Sequence, residues 1–302
     1  MTMVQTHSGR VTGEVGAKPR DDELDLFGLT HPGKVRKENQ DHFLLCTVHP
    51  QAVIHATSLP NPESLTARGQ RLATVMLVAD GVGGSAAGGE ASQIAVETIM
   101  RYVTSTLRSY PAMGSQHDEE FLNALRTATL EADATVRAEA AARAAAAGRL
   151  SSKSMATTLT LGMAVWPWYY VVHVGDSRCY YFWDGALKQM TRDQTMAQDL
   201  VDKGALPADR AAASPFSHVL ASSIGGPETA PEVTRFDVTN RGCVIMLCTD
   251  GLTKHVPDAE IAERLGRMES AEQVCNDLLE LTLERGGSDN VTIVIARAPL
   301  KR

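Results

Sequence analysis

Five aspartates stand at the ends of apolar runs. Asp80 closes VMLVAD, Asp176 closes VVHVGD, Asp250 closes VIMLCTD, Asp289 opens DNVTIVIA and Asp41 opens DHFLLCTV. Runs of this length and composition read as strands, and strand ends along one rim of a sheet converge in space. Carboxylates gathered there suit a hard cation: oxygen ligands match magnesium or manganese, which keep several waters and take few protein ligands. Gly81 and Gly251 follow two of these aspartates, where the lack of a side chain lets backbone approach closely and offers a carbonyl as a further ligand. For any single Asp-Gly pair an ordinary turn is the simpler reading, and Asp184-Gly185, flanked by strand-like runs, is read as a hairpin. Five placements, with almost no lysine or arginine beside them to pair with, favour the cation reading for the set.

Arg36 lies five residues before Asp41. A guanidinium can grip a phosphate bidentately where a lysine cannot, although a lone arginine is more often a solvated surface residue. Two other motifs cross residues 80–91. Gly81-x-Gly83-x-x-Ala86 fits a relaxed dinucleotide fingerprint, but that fingerprint needs a parallel strand–helix–strand unit, and here one helical pattern is followed by another. Gly83-x-Ser85-x-Ala87 has part of a nucleophile elbow without its full glycine pair, with His255 as a remote partner. The nine histidines form no metal-binding HxH or HExxH pattern. His173, within an apolar strand, reads as a core residue, and the Trp166, Trp168, Tyr169, Tyr170 cluster as packing.

The elements that must position these residues alternate in type. Strands are expected at 26–30, 41–48 and 74–80, with a loop or hairpin insertion over 50–70. Two helices follow, one from about residue 89 and one over about 119–147, with Gly148 as its stop. The Ala-rich stretch EAAARAAAAG fits a strong helix former with a face for close packing. Strands come again at 156–165, 168–174 and 178–183. A polar, mixed region covers 191–231, followed by strands near 232–238 and 243–249. Helices near 258–267 and 271–284 and a strand at 290–297 complete the chain. Strand runs separated by a helix pair indicate an α+β fold rather than an alternating parallel sheet. Without repeats or Pro/Ser-rich linkers, the chain divides into a flexible N-terminal tail, 1–25, and one domain, 26–302.

Of 302 residues, 43% are hydrophobic and 22% charged, with a net charge of −7, which supports a sizeable core and excludes wholesale disorder. Acidic balance without basic stripes argues against nucleic-acid partners. The start lacks a secretory signal, and the longest apolar stretch, 163–174, is broken by Pro167 and His173, too short for a membrane span. Cys46, Cys179, Cys243, Cys248 and Cys275 form no CxxC pair and mostly sit in apolar runs. A reduced, cytoplasmic protein without structural zinc is expected.

Seven segments, RKENQD (36–41), VADGVGG (78–84), MATTLTLG (155–162), HVGDSR (173–178), QMTRDQT (189–195), LCTDGL (247–252) and GGSDNVT (286–292), follow one another as in metal-dependent protein phosphatases. Over 26–297 the chain resembles the PPM, or PP2C-like, family, and Asn39, Gln40 and DGVGG are similar to its bacterial branch. The resemblance implies a four-layer αββα sandwich with two central antiparallel β-sheets and a dinuclear Mg²⁺ or Mn²⁺ site at one end. It assigns Asp80, Asp250 and Asp289 as metal ligands, Gly81 as a carbonyl ligand, and Asp41 as the acid holding metal-bound water. Asp176 matches a third, weaker metal position and Arg36 the phosphate-binding arginine.

The chain departs from animal-type members, which carry Glu at the place of Gln40 and, at Val82, a histidine proposed as general acid. A flap over about 193–226 carries SHVLASSIGG in place of a more basic stretch. The implied activity is hydrolysis of phosphoserine and phosphothreonine by in-line attack of a metal-bridging hydroxide. The implied partners are phosphorylated proteins, substrates of a Ser/Thr kinase, with no nucleic acid or membrane and a monomeric enzyme. Crowded carboxylates would make metal binding stabilise the fold as well. The rival readings are a phosphoprotein-binding module, which would usually lack one of the aspartates, a hydrolase of small phosphate esters, and a serine hydrolase using Ser85.

Overall fold

The computed structural model describes residues 17–50, 70–82, 86–106, 118–148 and 155–299. Its strands are β1 (Asp25–His31), β2 (His42–Val48), β3 (Ala73–Ala79), β4 (Gly81–Val82), β5 (Ala156–Thr157), β6 (Leu159–Val165), β7 (Trp168–Val174), β8 (Arg178–Trp183), β9 (Ala186–Gln189), β10 (Glu232–Asp237), β11 (Val244–Cys248) and β12 (Val291–Arg297). The helices are α1 (Ala86–Thr106), α2 (Asp118–Ala146), α3 (Met196–Asp202), α4 (Asp250–Thr253), α5 (Asp258–Gly266) and α6 (Ala271–Glu284). One sheet runs β1-β12-β11-β8-β9 and the other β10-β7-β6-β3-β2, while β4 and β5 form a small ribbon. All the pairings are antiparallel.

The apolar runs follow from burial on both faces. Side chains alternate across a strand, so in β3 Val75 and Leu77 meet the helix layer of Ala91, Ile99, Leu125 and Val136. Met76 and Val78, between them, meet Tyr169, Ile245, Leu247 and Val294 across the two sheets. A third cluster joins Tyr180, Met246 and Ile293 to Ile261, Val274 and Leu278 of α5 and α6. Each large side chain so buried contributes roughly 1.5–3 kcal/mol. Three apolar layers therefore hold four layers of secondary structure, the αββα sandwich. In α2 the buried alanines are Ala128, Ala132 and Ala144; within the Ala-rich stretch itself Ala141, Ala142, Ala145 and Ala146 are exposed, so the close-packing face expected there lies mainly earlier in the helix.

The Asp184-Gly185 turn joins β8 to β9 with φ of 51° and 75°, the paired positive values of a two-residue hairpin. The strand expected over 156–165 breaks at Thr158 into β5 and β6, and α1 starts at Ala86 rather than near 89. Because β3 pairs antiparallel with both β2 and β6, no parallel unit exists there to host a dinucleotide. The insertion expected at 50–70 lies outside the described residues over 51–69, and the expected tail does so over 1–16. From residue 17 onward the chain is tied down: Arg71 donates to Asp21 Oδ1 at 2.5 Å and to the Pro19 carbonyl at 2.7 Å. All five cysteines are unpaired, four of them buried. Among the described residues no helix is long and apolar enough to cross a membrane.

Candidate active site

The five aspartates come to one rim. β3, β7 and β11 finish there, and β2 and β12 start there. One cavity is lined by Arg36, Asp80, Gly81, Asp176, Asp250 and Asp289, while Asp41 is buried beside it with 3% of its surface exposed. Burial first, then the charges of Asp41, Asp250, Asp176 and Asp289, push the Asp80 carboxyl well above the usual carboxylate range. Burial and Asp250 do the same to Asp176.

Each acid is held by neighbours that look unremarkable in the sequence. The Asp80 N–H donates to Thr158 Oγ1 at 2.9 Å. The Asp80 carbonyl accepts from the Thr158 N–H at 2.9 Å and the Thr157 hydroxyl at 2.8 Å. Thr158 Oγ1 also meets Ser177 Oγ at 2.9 Å, tying the Asp80 segment to the Asp176 turn. These contacts explain Thr157 and Thr158 of MATTLTLG and the break at Thr158. A Cβ on Gly81 would fall 2.4 Å from the Gly88 carbonyl and 2.7 Å from that of Gln40, so only main chain fits there.

Asp41 Oδ2 accepts from the hydroxyls of Thr249 at 2.8 Å and Thr292 at 2.7 Å. Its Oδ1 is buried without a hydrogen-bond partner. Burial and the charges of Asp250 and Asp289, partly offset by the two threonine hydroxyls, push this carboxyl up to about 7. Asn290 braces the Arg36 loop, accepting from the Gln40 N–H at 2.9 Å and donating to the Pro32 and Glu38 carbonyls, each at 3.0 Å.

The expectation that these acids lack basic neighbours fails for two of them. Arg36 sets its fork on Asp289, with Nε 2.8 Å from Oδ1 and a terminal nitrogen 2.9 Å from Oδ2. Lys254 Nζ lies 2.6 Å from Asp250 Oδ2 and 2.8 Å from Asp289 Oδ2. Burial alone would raise the Asp289 carboxyl, but the hydrogen bonds from Lys254 and Arg36 outweigh it and hold it below the usual range. Lys254 was missed in the sequence, where its only signal is a spacing of four from Asp250. That spacing brings side chains together only if the segment is helical, and α4 is four residues long.

The donor set fits a divalent cation in its chemistry. It is all oxygen, and both Asp41 Oδ1 and Asp250 Oδ1 are buried without partners, a costly state for an acceptor. It is not closed around an ion: among the described residues no three carboxylate, imidazole or thiol groups stand ready to hold one. Lys254 and Arg36 occupy three of the carboxylate oxygens, Asp250 Oδ2 and both of Asp289.

Gln194 is one of the anchors of the flap. The Gln194 N–H donates to the Gly175 carbonyl at 2.7 Å, and the Gln194 carbonyl accepts from the Ala221 N–H at 2.8 Å. Gln194 Nε2 reaches the Ala230 carbonyl at 3.1 Å, while its Oε1 accepts from the Gly175 N–H at 3.0 Å. Below, Asp133 Oδ1 of α2 accepts from the Gly225 N–H and the Thr229 hydroxyl, each at 2.7 Å. His218 and Leu220 of the flap line the cavity. Asp133→Ala should cost about 1–3 kcal/mol by leaving the Gly225 N–H unmatched. It should also speed proteolysis within 203–222 in limited digestion without altering cation affinity.

His173 is the expected core residue. It bonds Thr160 Oγ1 at 3.0 Å and the Arg192 carbonyl at 2.9 Å, and burial lowers it to about 4. Ser85 lies outside the described residues. His255 Nε2 accepts from the Ser288 N–H at 3.0 Å.

A family model described as Protein phosphatase 2C matches residues 55–285. The serine/threonine protein phosphatase PstP of Mycobacterium tuberculosis is 35% identical over 224 residues, 74% of this chain and 40% of that protein. This chain thus spans about two fifths of that relative's length. The serine/threonine phosphatase stp of Listeria monocytogenes is 28% identical over 75% of this chain and 85% of its own length. Among solved structures, the catalytic domain of PstP in complex with two manganese ions superposes with a TM-score of 0.68 at 27% identity, covering 92% of this chain and 99% of that one.

Proposed function

The chain belongs to the protein phosphatase 2C family, in its bacterial branch, and from that membership we propose that it hydrolyses phosphoserine and phosphothreonine in proteins at the acidic rim, using magnesium or manganese. The observation that carries this reading is the pair of buried, unpartnered oxygens, Asp41 Oδ1 and Asp250 Oδ1, among five converging aspartates. Asp80, Asp250 and Asp289 with the Gly81 carbonyl would hold two cations, and Asp176 a third, weaker one. When bound, the cations supply positive charge that offsets the phosphoryl oxygens and acidifies the attacking water. A PstP structure with two manganese ions supports manganese as one of the metals.

The chain's own groups divide the remaining work. Asp41 is fixed through Oδ2 by Thr249 and Thr292, which leaves Oδ1 to accept a proton from the attacking water and to aim it. Arg36, half exposed at the mouth, binds phosphate with the same fork that Asp289 now occupies. Val82 cannot protonate the leaving alkoxide, so that proton must come from solvent or another group in the cavity.

The test is phosphate release from a phosphothreonine peptide by the EDTA-stripped chain, without and with Mn²⁺. Release that appears only with Mn²⁺ is expected. Full activity after exhaustive chelation would overturn the reading, and turnover of aryl phosphates but not peptides would move it to small esters. Arg36→Ala should chiefly raise KM for the peptide, by about 10–100-fold, the loss of roughly 1.5–3 kcal/mol of charge-assisted hydrogen bonding. Arg36→Lys should recover only part, since a point charge lacks the fork. Steady-state kinetics at saturating Mn²⁺ decide this, and an unchanged KM would return Arg36 to an ordinary surface role.

A further inference from the structure

Lys254 stands where an external cation would be most attracted. Its Nζ lies between Asp250 Oδ2 and Asp289 Oδ2, at 2.6 and 2.8 Å, and its side chain is 23% exposed. Those two carboxylates are the ones the proposed function gives to metal, and a third, Asp80, sits in the same cavity. An ammonium carries one charge against the two of a magnesium or manganese ion, and it donates where a metal would accept lone pairs. It contacts one oxygen of each carboxylate, Asp250 Oδ2 and Asp289 Oδ2, and leaves Asp250 Oδ1 orphaned.

The tether is short and local. Lys254 follows Asp250 by four residues across α4, and its N–H donates to the Asp250 carbonyl at 2.9 Å, so the chain holds the ammonium at high effective concentration. There is also a place for it to go. Lys254 lines a second cavity, beneath the flap, with Asp193, Thr195, Gln198, His218 and His255, so the side chain can leave the rim without leaving polar surroundings.

We propose that Lys254 is a built-in placeholder cation: it occupies the position between Asp250 and Asp289 and must be displaced before a divalent ion can bridge them. The inference rests on the metal-dependent reading of the site, and it makes cation occupancy follow the free metal concentration. In the stripped protein Lys254 stabilises the rim. In the loaded protein it swings beneath the flap, where its charge is free for a phosphorylated substrate.

The test uses the full chain and needs no turnover, so it stands apart from the phosphatase assay. Isothermal titration of EDTA-stripped protein with Mn²⁺ should give Lys254→Met an affinity about tenfold or more above the unsubstituted chain, because the competing charge is gone. Its melting temperature should be lower without metal and equal or higher with it. Lys254→Gln keeps a hydrogen-bond donor and should shift affinity in the same direction if the methionine variant fails to fold. In the unsubstituted protein, amine labelling of Lys254 read by mass spectrometry should rise several-fold on adding Mn²⁺. Affinity unchanged or weakened in both variants, or labelling that Mn²⁺ leaves unaltered, would overturn the proposal. Metal binding without any phosphatase activity would count against the function alone.

Discussion

Asp80→Asn, Asp250→Asn and Asp289→Asn should each lower phosphopeptide turnover by about a thousandfold or more, ~4 kcal/mol of barrier, while Asp184→Asn leaves it within about twofold. An amide keeps the shape of the carboxylate but removes the charge a hard cation needs. Asp184 makes the natural control, because it is also followed by glycine and meets a strand, yet it turns a hairpin with φ of 51°. Asparagine tolerates that conformation well. The three rim variants should differ from one another in stability. Asp80→Asn removes a carboxyl crowded by four others, so the metal-free fold should gain stability. Asp250→Asn and Asp289→Asn remove acceptors of Lys254 and should not. Single-turnover kinetics with urea melts of each variant check both statements, and equal losses of activity at Asp184 and Asp250 would sink the assignment of the rim.

Without cations, the protein should lose stability as pH rises from about 4.5 to 7, and saturating Mn²⁺ should flatten that slope. Asp41 is pushed up to about 7 from the usual 3.8 in the folded chain, and Asp80 and Asp176 lie well above the usual value. The folded state thus holds protons that the unfolded state has released, and its stability falls with pH between the unfolded and the folded values. For Asp41 alone the full difference is about 4 kcal/mol, an upper figure for a group with charged neighbours. His173, lowered to about 4, acts in the opposite direction. Its contribution rises only up to the unfolded value of about 6.5 and is level beyond it. Buried thiols, pushed upward, act only above their usual range of about 8.5. Three raised carboxyls against one lowered imidazole keep the net slope downward. Urea denaturation at several pH values, with EDTA or Mn²⁺, measures the slope. Metal-free stability that stays level or rises across the window would show that the acids do not crowd.

Much of this site was legible because the strands are buried on both faces. An apolar run that stops at an aspartate marks a strand end whatever the pairing order, and five such stops located the rim. The groups that fix the acids were not legible. Thr157, Thr158, Thr249 and Thr292 are β-branched residues next to or within strands, and nothing in their spacing separates a hydroxyl aimed at a carboxylate from ordinary strand composition. The start of α1 was misplaced for a related reason. Gly88 and Gly89 argue against helix by propensity, yet the helix runs through them because the Gly81 main chain packs against Gly88. Lys254 was hidden by a helix too short to show a period.

Gln194 gives the flap a further property. Start and finish of the loop are stitched to one side chain and its own main chain, so the two ends meet whatever lies between them. Closing a longer or shorter loop between fixed feet costs little extra, since that cost grows only with the logarithm of its length. Residues 203–215, between α3 and the Phe216 carbonyl that accepts from the Ala197 N–H, should therefore tolerate changes of length. Insertion, deletion or transplantation there should leave the acidic rim beneath in register.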